Sequence, residues 1–177
     1  LGDRARPDAP LGALTTYRVG GPAALLVEDA DADDLDLVAR AVAASGLPTL
    51  VVGKGSNLLV ADAGFPGIAV TLGPDLAGIT IDGTEVRAGG GASLPVVARR
   101  TARAALTGFE WAVGVPGSIG GAVRMNAGGH GSDMAAVLAT IRVADLTAGE
   151  DGAVVRTLAV EDLALGYRTS RLRRHEV

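Results

Sequence analysis

The chain has 177 residues, 48% of them hydrophobic, which excludes a disordered protein and suffices for one domain or two small lobes. The formal net charge of −4 argues against a nucleic-acid binder, and the lack of cysteine excludes a disulfide framework and a thiolate metal site, so we expect neither nucleic acid nor metal. Residues 1–10 lack the apolar segment of a signal peptide, and no apolar run approaches the roughly 20 residues of a membrane span. We therefore expect a cytoplasmic protein outside the membrane; because the chain begins with Leu1 rather than methionine, a segment upstream of it is left open.

The predicted elements begin with a short buried strand at residues 23–27 and a helix that ends near residue 45. The apolar residues of this helix recur at helical spacing, Asp33 or Asp34 is expected to cap its first turn, and Gly46 follows its end. Residues 49–53 are apolar and β-branched, which predicts a second strand buried on both faces.

Further short strands are expected at residues 58–61 and 68–72, followed by a hairpin at residues 79–88. Asp82-Gly83 at the centre of this hairpin is a strong signal for a two-residue turn. Ser93, with a proline in the turn that follows, predicts the start of a helix that runs to about residue 106.

The last predicted strands lie at residues 141–146 and 154–158, joined by a polar turn at residues 148–152. Strands outnumber helices, the hairpins are antiparallel, and one strand–helix–strand unit lies early in the chain. This arrangement predicts an α+β fold in two lobes.

Glycine is used 26 times, and the first of two glycine-rich segments follows the strand at residues 49–53. Gly53 and Gly55 allow positive φ, so that consecutive backbone N–H groups can converge on an anion. Ser56 and Asn57 add side-chain donors, and Lys54 adds a charge. The segment lacks the spacing of a Walker P-loop and of a Rossmann G-x-G-x-x-G loop. A phosphate cradle and a tight structural turn both remain open from these residues alone.

The second glycine-rich segment spans residues 114–129. Pro116 fixes its entry, and Gly117 and Ser118 are expected to open a helix whose first N–H groups face a pyrophosphate or a flavin edge. Gly120 and Gly121 leave one face of this helix without side chains, so that a flat ring or another backbone can approach it. A purely structural helix leaves unexplained a cost of roughly 1 kcal/mol for each glycine, which favours a ligand.

Four segments, in this order, resemble the UDP-N-acetylenolpyruvoylglucosamine reductases, flavoenzymes that make cell-wall precursors. They are residues 15–23 (TTYRVGGPA), 53–59 (GKGSNLL), 108–128 (GFEWAVGVPGSIGGAVRMNAG) and 167–171 (YRTSR). The resemblance implies the α+β, two-lobed FAD-binding domain of the vanillyl-alcohol-oxidase/PCMH type. We expect a first lobe at residues 1–72 and a second at residues 73–177, with the family's C-terminal substrate domain absent from this chain.

The resemblance also implies the site residues. Arg168 matches the family's catalytic arginine, and both Tyr167 and Arg168 would contact the substrate. A noncovalent FAD would be bound by Gly53, Lys54, Gly55, Ser56, Asn57, Leu58, Gly114, Val115, Pro116, Gly117, Ser118, Gly120, Gly121, Ala122, Asn126 and Gly128. Without the resemblance, Arg168 would be read as one member of a solvated basic run. His130 is considered as a covalent flavin attachment point and is not favoured, because the family holds FAD noncovalently.

The reaction that the resemblance implies begins with hydride transfer from NADPH to the flavin. The hydride then adds to the enolpyruvyl double bond of a UDP-sugar, and a proton completes the product of this step in peptidoglycan precursor synthesis. The family's proton donor, a serine, and an assisting glutamate lie in the later domain, so we expect this chain alone to bind FAD weakly or moderately without turnover. A monomer is expected for the full-length form.

Three alternatives remain at this point. Another flavoprotein of the same fold, such as an oxidase of hydroxylated substrates, would use the same glycine loops. A nonenzymatic module would use them to bind an anion or a nucleotide. A structural domain would use them only for packing.

Overall fold

A four-stranded sheet organises the first part of the chain, in a computed structural model that describes residues 1–149 and 151–177. Its strands are β1 (Arg6–Pro10), β2 (Pro22–Ala30), β3 (Thr49–Val52) and β4 (Phe65–Leu72). The order across the sheet is β1-β2-β4-β3, with β4 parallel to both of its neighbours and β1 antiparallel to β2. The predicted strands at 23–27, 49–53 and 68–72 are thereby confirmed, and β1 was not predicted.

Helix α1 (Ala32–Ser45) connects β2 to β3 and confirms the predicted helix. Its N-cap is Asp31, whose side chain accepts from the N–H of Asp34, while the Asp34 carboxylate accepts from the N–H of Asp31. The predicted caps, Asp33 and Asp34, are therefore wrong by two or three residues, because Asp34 completes a capping box from inside the first turn. Gly46 ends the helix as predicted, in the left-handed region at φ 67°.

Two predictions about this sheet need correction. Strand β3 lies at the edge of the sheet, so Leu50 and Val51 are only half-buried rather than covered on both faces. Residues 58–61 form no strand: Val60 is buried in the core, whereas Leu59 is 71% exposed. An apolar run of four residues does not by itself provide a pairing partner.

The second part of the chain begins with the predicted hairpin, β5 (Ile79–Asp82) and β6 (Glu85–Ala88). Helix α2 (Leu94–Arg103) follows Ser93 as predicted and ends three residues earlier than expected. Helix α3 (Ile119–Arg124) follows at the second glycine-rich segment.

The remaining strands form two antiparallel pairs. Strands β7 (Gly128–Gly129) and β8 (Ser132–Asp133) make a miniature hairpin directly after α3. Strands β9 (Thr140–Asp145) and β10 (Val154–Ala159) pair as predicted. Of the predicted turn at 148–152, residue 150 lies outside the described residues.

The core consists of three clusters of buried side chains. One lies between α1 and the sheet and also contains Leu146, which follows β9. A second joins α2 and α3 around Trp111, Met134 and Leu163. The third lies on the other face of the sheet, around Leu11 and Leu26. The α+β class is confirmed, while the division into lobes at residue 72 stays a prediction.

Candidate functional site

The two glycine-rich segments lie against each other, although about sixty residues separate them in the chain. The hydroxyl of Ser56 donates a hydrogen bond of 3.2 Å to the carbonyl of Pro116. A Cβ placed on Gly53 would lie 2.3 Å from Oγ of Ser118, and one placed on Gly117 would lie 3.2 Å from Oγ of Ser56. The fold therefore brings the two predicted parts of the cofactor site together, and glycine at position 53 allows their close approach.

Gly55 holds the first loop in place against a third segment of the chain. Its φ is +62°, and a Cβ there would lie 1.9 Å from the carbonyl oxygen of Leu14. The N–H of Thr16 donates to the carbonyl of Gly55 at 3.1 Å. Glycine is required here both for the left-handed conformation and for the contact with backbone atoms.

The amides of the first loop are available to a ligand. Within residues 1–149 and 151–177, no backbone carbonyl accepts a hydrogen bond from the N–H groups of residues 53–57. The same holds, over the same described residues, for Gly117 and Ser118 of the second segment. Gly53, Lys54 and Asn57 are exposed, so these donors lie at the surface rather than in the core. Unpaired amides on two touching loops are donors of the kind that bind a pyrophosphate.

The first turn of α3 is oriented differently from the prediction. Ser118 caps it, and its Oγ accepts from the N–H of Gly121 at 3.3 Å. The N–H of Ile119 donates to Ala92 at 2.9 Å, and that of Gly120 donates to Gly90 at 2.8 Å. The first-turn amides expected to face a ligand are thus bonded within the protein, which leaves only those of residues 117 and 118.

A third glycine loop, residues 89–91, was missed in the sequence. A Cβ on Gly120 would lie 3.2 Å from the carbonyl oxygen of Gly90, so a helix face without side chains packs against a loop without side chains. The signal is three consecutive glycines, residues 89–91, two residues before Ser93. The loop packs against the start of α3, and this tight contact favours a small residue at Gly120.

The remaining predicted cofactor residues have mixed surroundings. Ala122 is buried in the core around Trp111, Val115 packs against that core, and Leu58 packs against the cluster around Leu11. Gly114 has open space where a Cβ would lie. A Cβ on Gly128 would lie 2.6 Å from the carbonyl oxygen of Ser132, so the β7–β8 hairpin itself demands glycine there.

Glu110 stabilises the turn that leads into the second segment. Hydrogen bonds from Thr107 and from the backbone N–H groups of Glu110 and Gly108 hold the pKa of this carboxyl below its usual range. The N–H of Gly108 lies 2.7 Å from the carboxylate. This ionised side chain therefore closes the turn at residues 107–110 by hydrogen bonds.

Tyr167 and Arg168 lie at a cleft of about 340 Å³ that Asn126 and Asp133 also line. Both are exposed, Tyr167 to 92%, at the tip of a turn closed by mutual hydrogen bonds between Gly166 and Thr169. Arg168 has φ 56°, a left-handed conformation that costs an arginine about 1–2 kcal/mol. No ion pair involves Arg168 within the described residues, so its guanidinium is free for a carboxylate.

Helix α3 connects the glycine segments to this turn. The hydroxyl of Ser170 donates to the carbonyl of Arg124 at 2.6 Å, and the guanidinium of Arg124 donates to the carbonyl of Leu172 at 2.7 Å. One short helix thus begins at the second glycine segment and ends against the segment that carries Arg168.

The chain belongs to the family of FAD-binding domains, whose model, described as "FAD binding domain", matches residues 23–158. It is similar to the UDP-N-acetylenolpyruvoylglucosamine reductase of Synechococcus sp., with 44% identity over 167 residues, 93% of this chain and 53% of that protein. The crystal structure of the corresponding reductase from Thermus caldophilus superposes with a TM-score of 0.78 at 34% identity, over 98% of this chain and 59% of that one. The chain spans about half the length of the reductases it matches.

A cholesterol oxidase from Brevibacterium sterolicum shares the fold at 15% identity, with a TM-score of 0.60 over 88% of this chain and 32% of that one. The FAD-binding α+β fold expected from the resemblance is thereby confirmed. The site fits FAD, because the amides of residues 53–57 and those of Gly117 and Ser118 are unpaired within the described part of the chain and lie on two loops in contact.

None of the helices among the described residues combines the length and hydrophobicity needed to cross a membrane.

Proposed function

We propose that the chain holds FAD noncovalently where its two glycine-rich segments meet. The amides of residues 53–57, together with those of Gly117 and Ser118, would bind the pyrophosphate. The observation that carries this proposal is the contact between the two loops, with unpaired N–H groups on both within the described residues. Lys54, exposed beside them, adds a positive charge near the anion.

The complete protein is proposed to reduce UDP-N-acetylglucosamine enolpyruvate to UDP-N-acetylmuramate with NADPH. This proposal is supported by the similarity to reductases of that name over nearly the whole chain. Bound FAD would supply hydride transfer between NADPH and the substrate. The product would serve peptidoglycan synthesis, and with it cell shape and division, in the cytoplasm. We propose a monomer, with the lobe boundary at residue 72.

Arg168 is proposed to bind the carboxylate of the enolpyruvyl group. Hydride addition to the carbon β to a carboxylate builds negative charge on the enolate-like intermediate. A guanidinium that binds this intermediate more strongly than it binds the substrate lowers the barrier. The planar fork of arginine suits this role, because it pairs with both carboxylate oxygens. The unpaired, exposed position of Arg168 supports the proposal. Tyr167, next to it, would line the substrate.

FAD binding is tested by flavin fluorescence titration of the wild type, Gly53→Ala and a matched control, Gly78→Ala. Neither glycine has a positive φ. A new Cβ at Gly78 has nothing within 4 Å, whereas one at Gly53 would lie 2.3 Å from the Oγ of Ser118 and force it to move. We expect about a tenfold weaker affinity for Gly53→Ala, or roughly 1.4 kcal/mol, and wild-type affinity for the control. Equal FAD affinity in all three proteins would refute the proposal that the first glycine loop binds FAD.

The reaction is tested with the complete FAD-loaded protein. We expect NADPH oxidation that requires the enolpyruvyl sugar and falls by about two orders of magnitude in Arg168→Ala, in line with loss of one transition-state donor. NADPH-independent oxygen consumption with an alcohol substrate would instead favour an oxidase of the same fold. Acid precipitation should release all the flavin; flavin retained on the protein would point to His130.

A further inference from the structure

The carboxamide of Asn126 is fully used inside the protein. Its Nδ2 donates to Oδ2 of Asp133 at 3.1 Å and to the carbonyl of Gly166 at 3.2 Å. Its Oδ1 accepts from the N–H of Ala135 at 3.0 Å. Asn126 is only 8% exposed, and its φ of 41° lies in the left-handed region, which asparagine tolerates better than most residues. These contacts leave no donor of the side chain for a cofactor, although the resemblance implied that role.

Asp133 holds the asparagine in this orientation. Its second oxygen, Oδ1, accepts from the N–H of Ala136 at 3.2 Å and caps the short turn that follows β8. Each carboxylate oxygen of Asp133 therefore has one donor, and the Asn126 amide can point only one way, with its nitrogen toward both Asp133 and Gly166.

Gly166 is the base of the turn that carries Tyr167 and Arg168. The N–H of Gly166 donates to the carbonyl of Thr169 at 3.1 Å, and the N–H of Thr169 donates back at 3.2 Å. The carbonyl of Gly166 thus accepts twice, from Thr169 and from Asn126. The two side chains at the tip are exposed, so the backbone at the base fixes where they lie.

We propose that Asn126 is a positioning residue: held by Asp133, it fixes the Gly166–Thr169 turn and thereby the position of the Arg168 guanidinium. The catalytic part of this inference rests on the proposed reductase function, whereas the structural part does not. Without this support, an arginine at an exposed tip would sample many orientations. Each additional unproductive orientation lowers the chance of a productive contact with the substrate. Asn126 joins the base of this turn to the residues that follow α3, next to the bond that Ser170 donates to the carbonyl of Arg124.

Two substitutions separate the bonds of Asn126. In Asn126→Asp, two carboxylates face each other and the donor to Gly166 is lost, so we expect both a less stable protein and a released turn. In the double variant N126D/D133N, donor and acceptor exchange places: Asn at 133 donates to Asp at 126 and still accepts from Ala136. The two side chains keep their mutual hydrogen bond, while the bond to the carbonyl of Gly166 is replaced by a contact between two acceptors, so the double variant removes this bond without two facing carboxylates. Asp31→Ala, which removes the N-cap acceptor of α1, is the control for general destabilisation.

The first measurement is hydrogen exchange by mass spectrometry on the complete FAD-loaded protein, read on peptides that cover residues 163–172. In N126D/D133N we expect a melting temperature above that of Asn126→Asp, because two carboxylates no longer face each other, and exchange of the amides of Gly166 and Thr169 at least tenfold faster than in the wild type. Peptides from β9 and β10 should exchange at wild-type rates. In Asp31→Ala the turn should stay protected. Wild-type exchange of the turn in both Asn126 variants would overturn the proposal. If both variants fail to fold, Asn126→Gly, which keeps the left-handed φ, must release the turn or the proposal fails.

The second measurement follows the two half-reactions separately by flavin absorbance. Reduction by NADPH does not need the carboxylate contact, so its rate should be unchanged in N126D/D133N. Oxidation by the enolpyruvyl sugar should slow at least tenfold, with little change in the affinity for the sugar. Equal slowing of both half-reactions would indicate a general effect on FAD and overturn the positioning role. If the wild type shows no sugar-dependent step, the reductase function fails while the exchange result still decides the structural coupling.

Discussion

Replacing Gly55 by alanine tests the role of the first glycine loop most directly, because Gly46 provides a matched control. Both glycines are left-handed, with φ of 62° and 67°, so alanine costs about 1 kcal/mol at either position through backbone conformation alone. The difference between them lies in their neighbours. A Cβ at position 46 has nothing within 4 Å, whereas one at position 55 would lie 1.9 Å from the carbonyl oxygen of Leu14 and 2.8 Å from Cα of Thr15.

The added cost at Gly55 follows from these contacts. Both neighbours are backbone atoms, which cannot rotate away as a side chain can, so the loop must move relative to residues 14 and 15. Forced packing of this kind costs about 1–3 kcal/mol. We therefore expect a loss of about 1 kcal/mol in the free energy of unfolding for Gly46→Ala and about 2–4 kcal/mol for Gly55→Ala.

The assay combines urea unfolding, which gives the stability of each variant, with FAD titration under native conditions. Gly46→Ala should bind FAD as the wild type does, because its turn lies at the far end of α1. Gly55→Ala should bind at least tenfold more weakly, since the displaced loop carries the amides proposed to bind the pyrophosphate. Equal destabilisation of the two variants would refute the steric argument. Wild-type FAD affinity in a folded Gly55→Ala protein would refute the assignment of the loop.

Three further predictions concern the cap of α3, the acid sensitivity of α1 and the conformation of the proposed catalytic arginine. Ser118→Ala removes the acceptor for the N–H of Gly121 and should cost about 1 kcal/mol in urea unfolding, with weaker FAD binding. The hydrogen bond from Arg4 holds the pKa of Asp34 below its usual value, so this carboxylate stabilises the fold above its unfolded pKa of about 3.9 and loses that contribution as pH falls through the lowered pKa. Asp34→Asn should therefore be less stable at neutral pH and lose less stability on acidification, and an unchanged acid transition would contradict this. Arg168→Asn should keep or gain up to about 1 kcal/mol of stability, because asparagine tolerates the left-handed conformation, while sugar-dependent turnover is lost.

Local patterns in the sequence predicted most of the regular structure. The periodic helix α1, the Asp82-Gly83 hairpin and the β9–β10 pair carry their own signals, and the structure confirms them. The capping residue was placed too late because three acidic residues, Asp31, Asp33 and Asp34, compete in the sequence. Only the spacing of the capping box, Asp31 to Asp34, distinguishes them.

Strand β1 had no such signal. Its sequence, RPDAP, contains two prolines and one buried residue, Ala9, which is the composition of a turn rather than of a strand. It forms because it pairs with β2 at the edge of the sheet, where the missing N–H groups of proline are tolerated. The opposite error occurred at residues 58–61, which are apolar and yet unpaired. In both cases the outcome depends on a distant partner strand.

The candidate site was predicted in its parts but not in its internal contacts. Glycine content marked both loops, yet it did not distinguish a glycine that makes room for a ligand from one that makes room for the protein. Gly120 and Gly128 belong to the second kind, because the backbone of Gly90 and of Ser132 occupies the space where their side chains would lie. Gly53 also approaches a protein atom, the Oγ of Ser118, but it does so between the two loops whose amides stay unpaired within the described residues.

Asn126 shows why proximity in a motif misleads about chemistry. It stands in the same motif as the glycines of α3, and the resemblance to the reductases implied that it binds the cofactor. The motif, however, continues past the end of the helix, where the chain turns away through a left-handed residue into the β7–β8 hairpin. A carboxamide at that point meets Asp133 and the carbonyl of Gly166, and it satisfies both. The second glycine-rich segment therefore contributes to the site at both of its ends. Residues 116–118 contact the first loop, and Asn126 holds the turn that carries Arg168.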